Sequence, residues 1–161
     1  MDSVWWDLLV NRVAASAAWN PAVRGALLRR AGIEVGTTQV EPGCFFFSDQ
    51  IEFGDYGWIN HRCYFDTRDR IRVGARVAFG MEVMVCTSTH EPGNQERRAG
   101  PYTTAPVTIG DGAWVGARAL ILPGVRVGEG CVVAAGAVVR EDCEPGGLYA
   151  GVPARRVRDL P

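Results

Sequence analysis

The stretch PVTIGDGAWVGARALILPGVRVGEGCVVAAGAVV, residues 106–139, carries a period of six that decides the fold. Aliphatic side chains recur at every sixth position: Ile109, Val115, Ile121, Val127, Val133 and Val139. Small or β-branched residues precede them by two positions: Val107, Ala113, Ala119, Val125, Cys131 and Ala137. Neither a helix nor an ordinary strand has this period. It predicts a parallel β-solenoid in which each six-residue unit supplies two inward side chains and a corner.

Glycines mark the corners of this stretch. One set directly follows the aliphatic residue (Gly110, Gly116, Gly128), and another falls in the corner itself (Gly112, Gly124, Gly130, Gly136). Both sets indicate a positive φ or a close approach of two backbones. Three units would close one triangular coil of about eighteen residues, with strands stacked at ~4.8 Å. A chance run of Val and Gly in a β-sandwich is the alternative, and six aliphatic positions in register disfavour it.

The same signature appears earlier and places the start of the solenoid at residue 33. Residues 33–36, 51–54 and 71–74 read IEVG, IEFG and IRVG, at spacings of 18 and 20, so a two-residue insertion lies near 67–70. Phe replaces Val at Phe65 and Phe79, which predicts an aromatic layer at this end. Residues 88–105 lack inward aliphatics, and we expect them to form a long loop extruded from the coil and serving function.

Residues 1–32 are predicted to form a separate helical segment. Trp5, Leu8, Leu9, Arg12, Val13 and Ser16 would share one helix face that packs on the protein body or a neighbouring subunit, with a membrane interface as the alternative. A second helix should run from about Pro21 to Ala31. Asn20 is its expected N-cap, and Gly32 its expected stop.

Composition bounds the function classes. The 161 residues fit one domain with a net charge of −1, which does not favour a nucleic-acid partner. Five cysteines without a CxxC pair indicate buried thiols in a reducing compartment. Acidic residues interrupt the N-terminal apolar stretch, and no apolar run reaches the length of a membrane span. We therefore expect a cytoplasmic protein without a membrane span.

These motifs resemble the hexapeptide-repeat acyltransferases, in particular maltose and galactoside O-acetyltransferases and the capsule or colanic-acid type. The resemblance rests on the hexapeptide steps, on STH at 88–90 before a polar loop, on residues 109–130 and on AGVPARRVR at 150–158. It implies an all-β, left-handed parallel β-helix over residues 33–158 with an active-site loop at about 88–105. It also implies a homotrimer with active sites between subunits, and direct acetyl transfer from acetyl-CoA to a hydroxyl or amine.

The resemblance also implies site residues. His90 matches the catalytic histidine, and a histidine suits a general base near neutral pH. The resemblance also implies a CoA site. Ala117 and Ala135 match residues that line the pantetheine groove, and Arg155 and Arg158 match basic residues that meet the nucleotide phosphates. Arg140 would supply the charge of a lysine found in relatives. Asn60, Asp66 and Tyr102 fall where relatives contact the acceptor, and all three could instead be corner or surface residues. Cys86 could form a Cys–His pair with His90, but its place after inward Val85 favours a packed thiol, and the family uses no covalent intermediate.

Two other functions remain to be weighed. A γ-type carbonic anhydrase shares this solenoid, but its zinc needs three histidines and the chain has two, so no metal is expected. A non-catalytic trimeric scaffold would make His90 and the basic C-terminal stretch dispensable. The acceptor could be a sugar in surface-polysaccharide or related oligosaccharide synthesis, or a small metabolite or antibiotic.

Overall fold

The computed structural model describes residues 3–161 and shows a parallel β-helix with three flat faces. Strands are numbered in chain order. Face A contains β1 (Glu34–Val35), β4 (Ile51–Phe53), β7 (Ile71–Val73), β12 (Val107–Ile109) and β15 (Arg126–Val127). Face B contains β2 (Gln39–Val40), β5 (Trp58–Ile59), β8 (Ala78–Phe79), β13 (Trp114–Val115), β16 (Val132–Val133), β18 (Gly147–Gly151) and β19 (Ala154–Asp159). Face C contains β3 (Phe45–Phe46), β6 (Tyr64–Asp66), β9 (Met84–Cys86), β14 (Leu120–Ile121) and β17 (Val138–Val139).

The inward columns form the core and confirm the hexapeptide reading. All twelve residues of the two inward series between Val107 and Val139 are at most 2% exposed. Equivalent side chains stack directly, as in the parallel register of Ile71 on Val107 and of Ile109 on Val127. Four phenylalanines, Phe46, Phe53, Phe65 and Phe79, fill the wider N-terminal coils with stacked and edge-to-face contacts at 5.2–6.2 Å. The predicted aromatic layer is therefore present.

The two sets of glycines are required for different structural reasons. Gly112, Gly124, Gly130 and Gly136 have φ between +64° and +82°, where a side chain is disfavoured. Gly110, Gly116 and Gly128 instead meet the next coil, and a Cβ on Gly116 would lie 2.5 Å from the Ala135 nitrogen. Some left-handed corners use other residues. Arg62, Glu82 and Arg118 have φ of 59–60°. Their side chains stack in adjacent coils, and both arginines form ion pairs with the Glu82 carboxylate.

The N-terminal segment contains α1 (Ser3–Trp6), a π-helix (Asp7–Ala14) and α2 (Pro21–Arg30). Apart from Leu9, the predicted helix face is mostly turned away from the protein body, and its packing on a neighbouring subunit stays a prediction. Trp6, Val10 and Ala14, spaced by four, are buried, whereas Trp5, Leu8 and Val13 are exposed. Apolar side chains lie on both sides of this segment, so the periodicity alone does not select the side that packs on the core.

Helix α2 confirms its predicted signals and anchors the cap. The Asn20 side chain accepts a hydrogen bond from the Val23 nitrogen at 3.0 Å, and Gly32 ends the helix at φ +100°. Arg24 is 1% exposed, and its guanidinium donates to the carbonyls of Ala14, Ser16, Trp19 and Val40. These carbonyls, which belong to the end of the π-helix, to the loop after it and to β2, are thereby satisfied inside the protein.

Residues 88–105 leave the coil as predicted, but they are not structureless. They form an antiparallel hairpin of β10 (Ser88–Pro92) and β11 (Ala99–Thr104) that projects from the corner between faces C and A. The strands have no inward aliphatic series because neither side of the hairpin faces the core, which is why the sequence pattern indicated a loop. The other antiparallel pair is β18 with β19 at the C-terminal end.

The outward side chains differ sharply among the faces. Face A presents a charged and polar column: Glu34, Glu52, Arg72, Thr108 and Arg126. Face C presents an apolar column: Phe45, Tyr64, Met84, Leu120 and Val138. Face B presents Trp58, Ala78, Trp114, Val132 and Leu148 above Gln39.

Within residues 3–161 no helix combines the length and the apolar character needed to cross a membrane.

Candidate active site

His90 lies on the projecting hairpin with one ring nitrogen fixed and the other free to act. Its Nδ1 is 2.8 Å from the Gly100 carbonyl oxygen on the opposite strand. A carbonyl can only accept, so Nδ1 carries the proton and Nε2 of the neutral ring keeps its lone pair. The ring also meets Tyr102, its direct partner in the hairpin register, edge to face at 5.5 Å. This is the tautomer that a general base acting through Nε2 requires.

Asp66 holds the base of this hairpin. Its Oδ2 accepts hydrogen bonds from the Ser88 nitrogen at 3.0 Å, the Ser88 hydroxyl at 2.5 Å and the Thr87 nitrogen at 3.3 Å. The Thr87 hydroxyl is buried, donates to the Asp66 carbonyl and accepts from the Asp69 nitrogen at 2.9 Å. The first residues of β10 are thereby tied to the coil below.

A groove on the edge between faces B and C brings together three of the predicted residues. This open groove has a volume of about 600 Å³, and Asn60, Ala117 and Ala135 line it. The two alanines stack in adjacent coils, with the Gly136 nitrogen donating to the Ala117 carbonyl at 2.8 Å. Two exposed indoles, Trp58 and Trp114, form the other wall. Small side chains on one side and flat aromatic surfaces on the other suit a narrow, mostly apolar chain.

The basic residues at the C-terminal end form a second group. Arg140 and Arg155 both bind the Glu141 carboxylate, at 3.3 and 3.1 Å, and all three side chains are more than half exposed. Arg158 is exposed on β19, opposite Leu148 of β18. Arg156 has a structural role instead, because it donates to Tyr149 and to the carbonyls of Glu144 and Pro145.

The predicted acceptor residues are not together within one chain. Tyr102 is beside His90, and Asp66 is at the hairpin base, both on the edge between faces C and A. Asn60 is on the B–C edge, where its Oδ1 accepts from the His61 backbone nitrogen at 2.8 Å. Within one chain, Asn60 therefore occupies a different corner of the triangle from Tyr102 and Asp66, and their joint contact with an acceptor stays a prediction.

The surroundings of Cys86 disfavour a nucleophilic thiolate. The thiol is half buried, and burial, with a further contribution from the Asp66 charge, raises its pKa above the ordinary thiol value. A raised pKa disfavours the thiolate that a nucleophile would need. All five cysteines are free thiols, and burial raises the pKa of Cys143 to about 12.

A further cavity of about 360 Å³ lies beside the π-helix. Trp6, Phe45 and Phe47 give it apolar walls, and Asp7 and Asp49 lie at its rim. It is near the N-terminal end of face C. Among residues 3–161 there is no cluster of three or more histidine, cysteine or acidic side chains that could hold a metal ion.

Comparison with known proteins identifies the family. Residues 106–141 match the model described as bacterial transferase hexapeptide (six repeats). A hexapeptide-repeat acetyltransferase of Vibrio cholerae, solved in complex with acetyl coenzyme A, is 31% identical, with a TM-score of 0.85 over 99% of this chain and 85% of that one. The chain belongs to the hexapeptide-repeat acetyltransferases.

Two further relatives of this acetyltransferase family place the chain within it. A galactoside acetyltransferase solved in complex with coenzyme A is 26% identical, with a TM-score of 0.87 over 99% of this chain and 80% of that one. A putative acetyltransferase of Schizosaccharomyces pombe is 35% identical over 128 residues, which are 79% of this chain. The chain spans 62% of the length of that yeast relative.

Several features of the site were not foreseen from the sequence of this family member. Trp58 and Trp114 alternate with buried residues along their strands, a pattern that marks them only as outward facing. The bridge that Glu141 forms between Arg140 and Arg155 includes a contact with a residue 14 positions away, which has no local sequence signal. The Asp66–Ser88 contact spans 22 residues and depends on the register of two coils, which the insertion at 67–70 obscured.

Proposed function

We propose that this protein transfers an acetyl group from acetyl-CoA to a hydroxyl of a sugar or another small molecule, with His90 as the general base. The observation that carries the proposal is the bond from His90 Nδ1 to the Gly100 carbonyl, which leaves Nε2 as a proton acceptor on an exposed hairpin. The acetyl-CoA and CoA complexes of the two related structures support the choice of donor.

The reaction needs one proton to move twice. Nε2 of His90 takes the proton of the acceptor hydroxyl while its oxygen attacks the thioester carbonyl carbon. The C–S bond then breaks, and the CoA thiolate receives the proton from the imidazolium. An acetyl ester and free CoA are the products, and no covalent enzyme intermediate forms. The orienting bond to Gly100 keeps the ring in the required tautomer throughout.

The groove and the basic C-terminal residues are the proposed CoA site. Pantetheine would lie along Ala117 and Ala135, where small side chains permit close contact with the backbone. Arg140, Arg155 and Arg158 would meet the nucleotide phosphates through charge-assisted hydrogen bonds. Exposed ion pairs such as those to Glu141 are weak, so phosphate can displace the carboxylate.

A homotrimer would complete the site. His90 lies on the C–A edge and the groove on the B–C edge, so a donor in the groove of one subunit would meet the hairpin of its neighbour. Tyr102 and Asp66 of one subunit and Asn60 of the next would then surround the acceptor. The apolar outward columns of faces B and C support burial between subunits. Residues 33–158 would act as the catalytic domain and residues 1–32 as its cap.

The proposal also covers the class of acceptor and the cellular compartment. A galactoside O-acetyltransferase of Escherichia coli K12, 29% identical, supports a sugar acceptor and a role in carbohydrate or polysaccharide modification. Cytoplasmic residence is supported by five free thiols, which a reducing compartment maintains.

Calorimetry with acetyl-CoA tests the donor half of the proposal without knowledge of the acceptor. Saturable binding is expected, and Arg155→Ala/Arg158→Ala should weaken it by about tenfold or more, because each charge-assisted bond contributes about 1.5–3 kcal/mol. Arg30→Ala removes an equally exposed arginine on α2 and should leave the affinity unchanged. Absence of binding at millimolar acetyl-CoA by a folded protein would favour the scaffold instead. A screen of sugars for CoA release then identifies the acceptor.

A further inference from the structure

Asp66 contacts the hairpin that carries His90 through one of its two carboxylate oxygens. Its Oδ2 receives three donors, from Thr87 and twice from Ser88. Three donors occupy this oxygen, so Oδ2 serves the hairpin, and Oδ1 is the oxygen left for any other contact. The geometry therefore gives this carboxylate a role inside the protein.

We propose that Asp66 is a positioning residue, which fixes the base of the hairpin through Ser88 and so holds His90 in its Nδ1–H tautomer against Gly100. The inference rests on the proposed role of His90, and it assigns Asp66 Oδ2 to the hairpin independently of any contact that Oδ1 makes with the acceptor. Ser88 is two residues from His90, and the strand between them pairs residue by residue with 102–104.

The hairpin depends on this bracket because it has few other ties to the body. Every residue of β10 after Ser88 is exposed, and so are Ala99, Pro101, Tyr102 and Thr104 of β11. The ties in the corner are the Asp66 carboxylate, the buried Thr87 hydroxyl and the bond from the Ala105 nitrogen to the Thr87 carbonyl at 2.9 Å. Loss of the carboxylate would leave the Ser88 nitrogen without its partner and free the strand to shift.

The consequence for catalysis is a loss of rate without a loss of donor binding. A displacement of about 1 Å at a reacting group can cost about 10²-fold in rate. Asp66→Ala should therefore lower kcat for acetyl-CoA hydrolysis, with water as acceptor, by about that factor. The KM for acetyl-CoA should stay unchanged, since none of the proposed CoA-binding residues lies on the hairpin. Asp66→Asn retains an oxygen that can accept from the Ser88 nitrogen, and it should restore most of the rate.

Nitrogen NMR of histidine-labelled protein tests the inference directly. The chain has only His61 and His90, so a His61→Gln background leaves a single imidazole to observe. With Asp66 intact, the spectrum should show a protonated Nδ1 and an unprotonated Nε2. Asp66→Ala should convert this pattern to the averaged tautomers of a free histidine, and Asp66→Asn should preserve it.

Asp55 provides a matched control. Its Oδ1 accepts from the nitrogen and hydroxyl of Thr37 at 2.9 and 3.1 Å, an equivalent bracket in a corner without a hairpin. Asp55→Ala should leave the His90 pattern intact. An unchanged pattern in folded Asp66→Ala would overturn the inference. If that variant does not fold, Ser88→Ala, which removes the shortest of the three bonds, decides in the same way: averaging of the His90 tautomers supports the inference, and an unchanged pattern overturns it. Retained transfer by His90→Ala would refute the proposed function but not this role of Asp66.

Discussion

Glu141 occupies the point where two arginines of the proposed phosphate site meet. Its carboxylate binds Arg140 and Arg155 and competes with any phosphate for the same guanidinium groups. Glu141→Gln should therefore tighten acetyl-CoA binding by about two- to fivefold, since exposed ion pairs are worth up to ~1 kcal/mol. Calorimetry measures the change, with the exposed Glu129→Gln as control. Weaker binding in the Glu141 variant would show that the carboxylate supports the site.

Glu82 offers a prediction about pH and stability. Hydrogen bonds from Arg118 and then Arg62 hold the pKa of this carboxyl below its ordinary value. A lowered folded-state pKa contributes stability above the ordinary carboxyl pKa, and this contribution is lost as pH falls through the folded value. Glu82→Gln should lower the urea midpoint at pH 7 and converge with the wild type at acid pH. A difference that persists undiminished in acid would contradict the ion-pair explanation.

The candidate site contains residues that the sequence could predict and contacts that it could not. His90 could be located from its neighbours Ser88 and Thr89, because a motif is a local property. Its partner Gly100 and the bracket from Asp66 could not, because both contacts depend on how strands pair across the hairpin and between coils.

At the scale of elements, the corners of the coil require glycine for two different reasons: a positive φ at some positions and a close approach of two backbones at others. A Cβ on Gly112 would meet nothing within 4 Å, so Gly112→Ala should cost only the left-handed strain, about 1–2 kcal/mol. A Cβ on Gly116 would collide with the backbone of Ala135, next to the groove. Gly116→Ala should therefore cost clearly more than Gly112→Ala. Denaturant unfolding of the two variants measures this order, and equal losses would contradict the close-approach account.

The elements that were predicted well are those with a strong period or a local signal. The strands of residues 106–139 follow from the six-residue repeat, and α2 follows from Asn20 and Gly32. The hairpin was missed because neither of its faces packs on the core. The inward face of the N-terminal helical segment was missed because apolar residues lie on both of its sides, so the sequence did not favour Trp6, Val10 and Ala14 over Trp5, Leu8 and Val13.

At the scale of the whole molecule, the faces predict the mode of assembly. Met84→Arg places a charge in the apolar column of face C and should shift the proposed trimer to the 17.5 kDa monomer, because a buried unpaired charge is costly. Thr108→Arg on the charged face A is the matched control and should remain trimeric. Light scattering after gel filtration measures the mass. A trimeric Met84→Arg protein would remove face C from the interface.

The central claim, that His90 is the general base of an acetyl transfer, is tested most directly by the rate of CoA release from acetyl-CoA with the acceptor found by the sugar screen. His90→Ala should lower kcat by about 10²- to 10⁴-fold while acetyl-CoA still binds with unchanged affinity. His61→Ala, which alters the only other histidine, should stay within about threefold of the wild-type rate. A His90→Ala enzyme that retains near wild-type kcat would contradict the account.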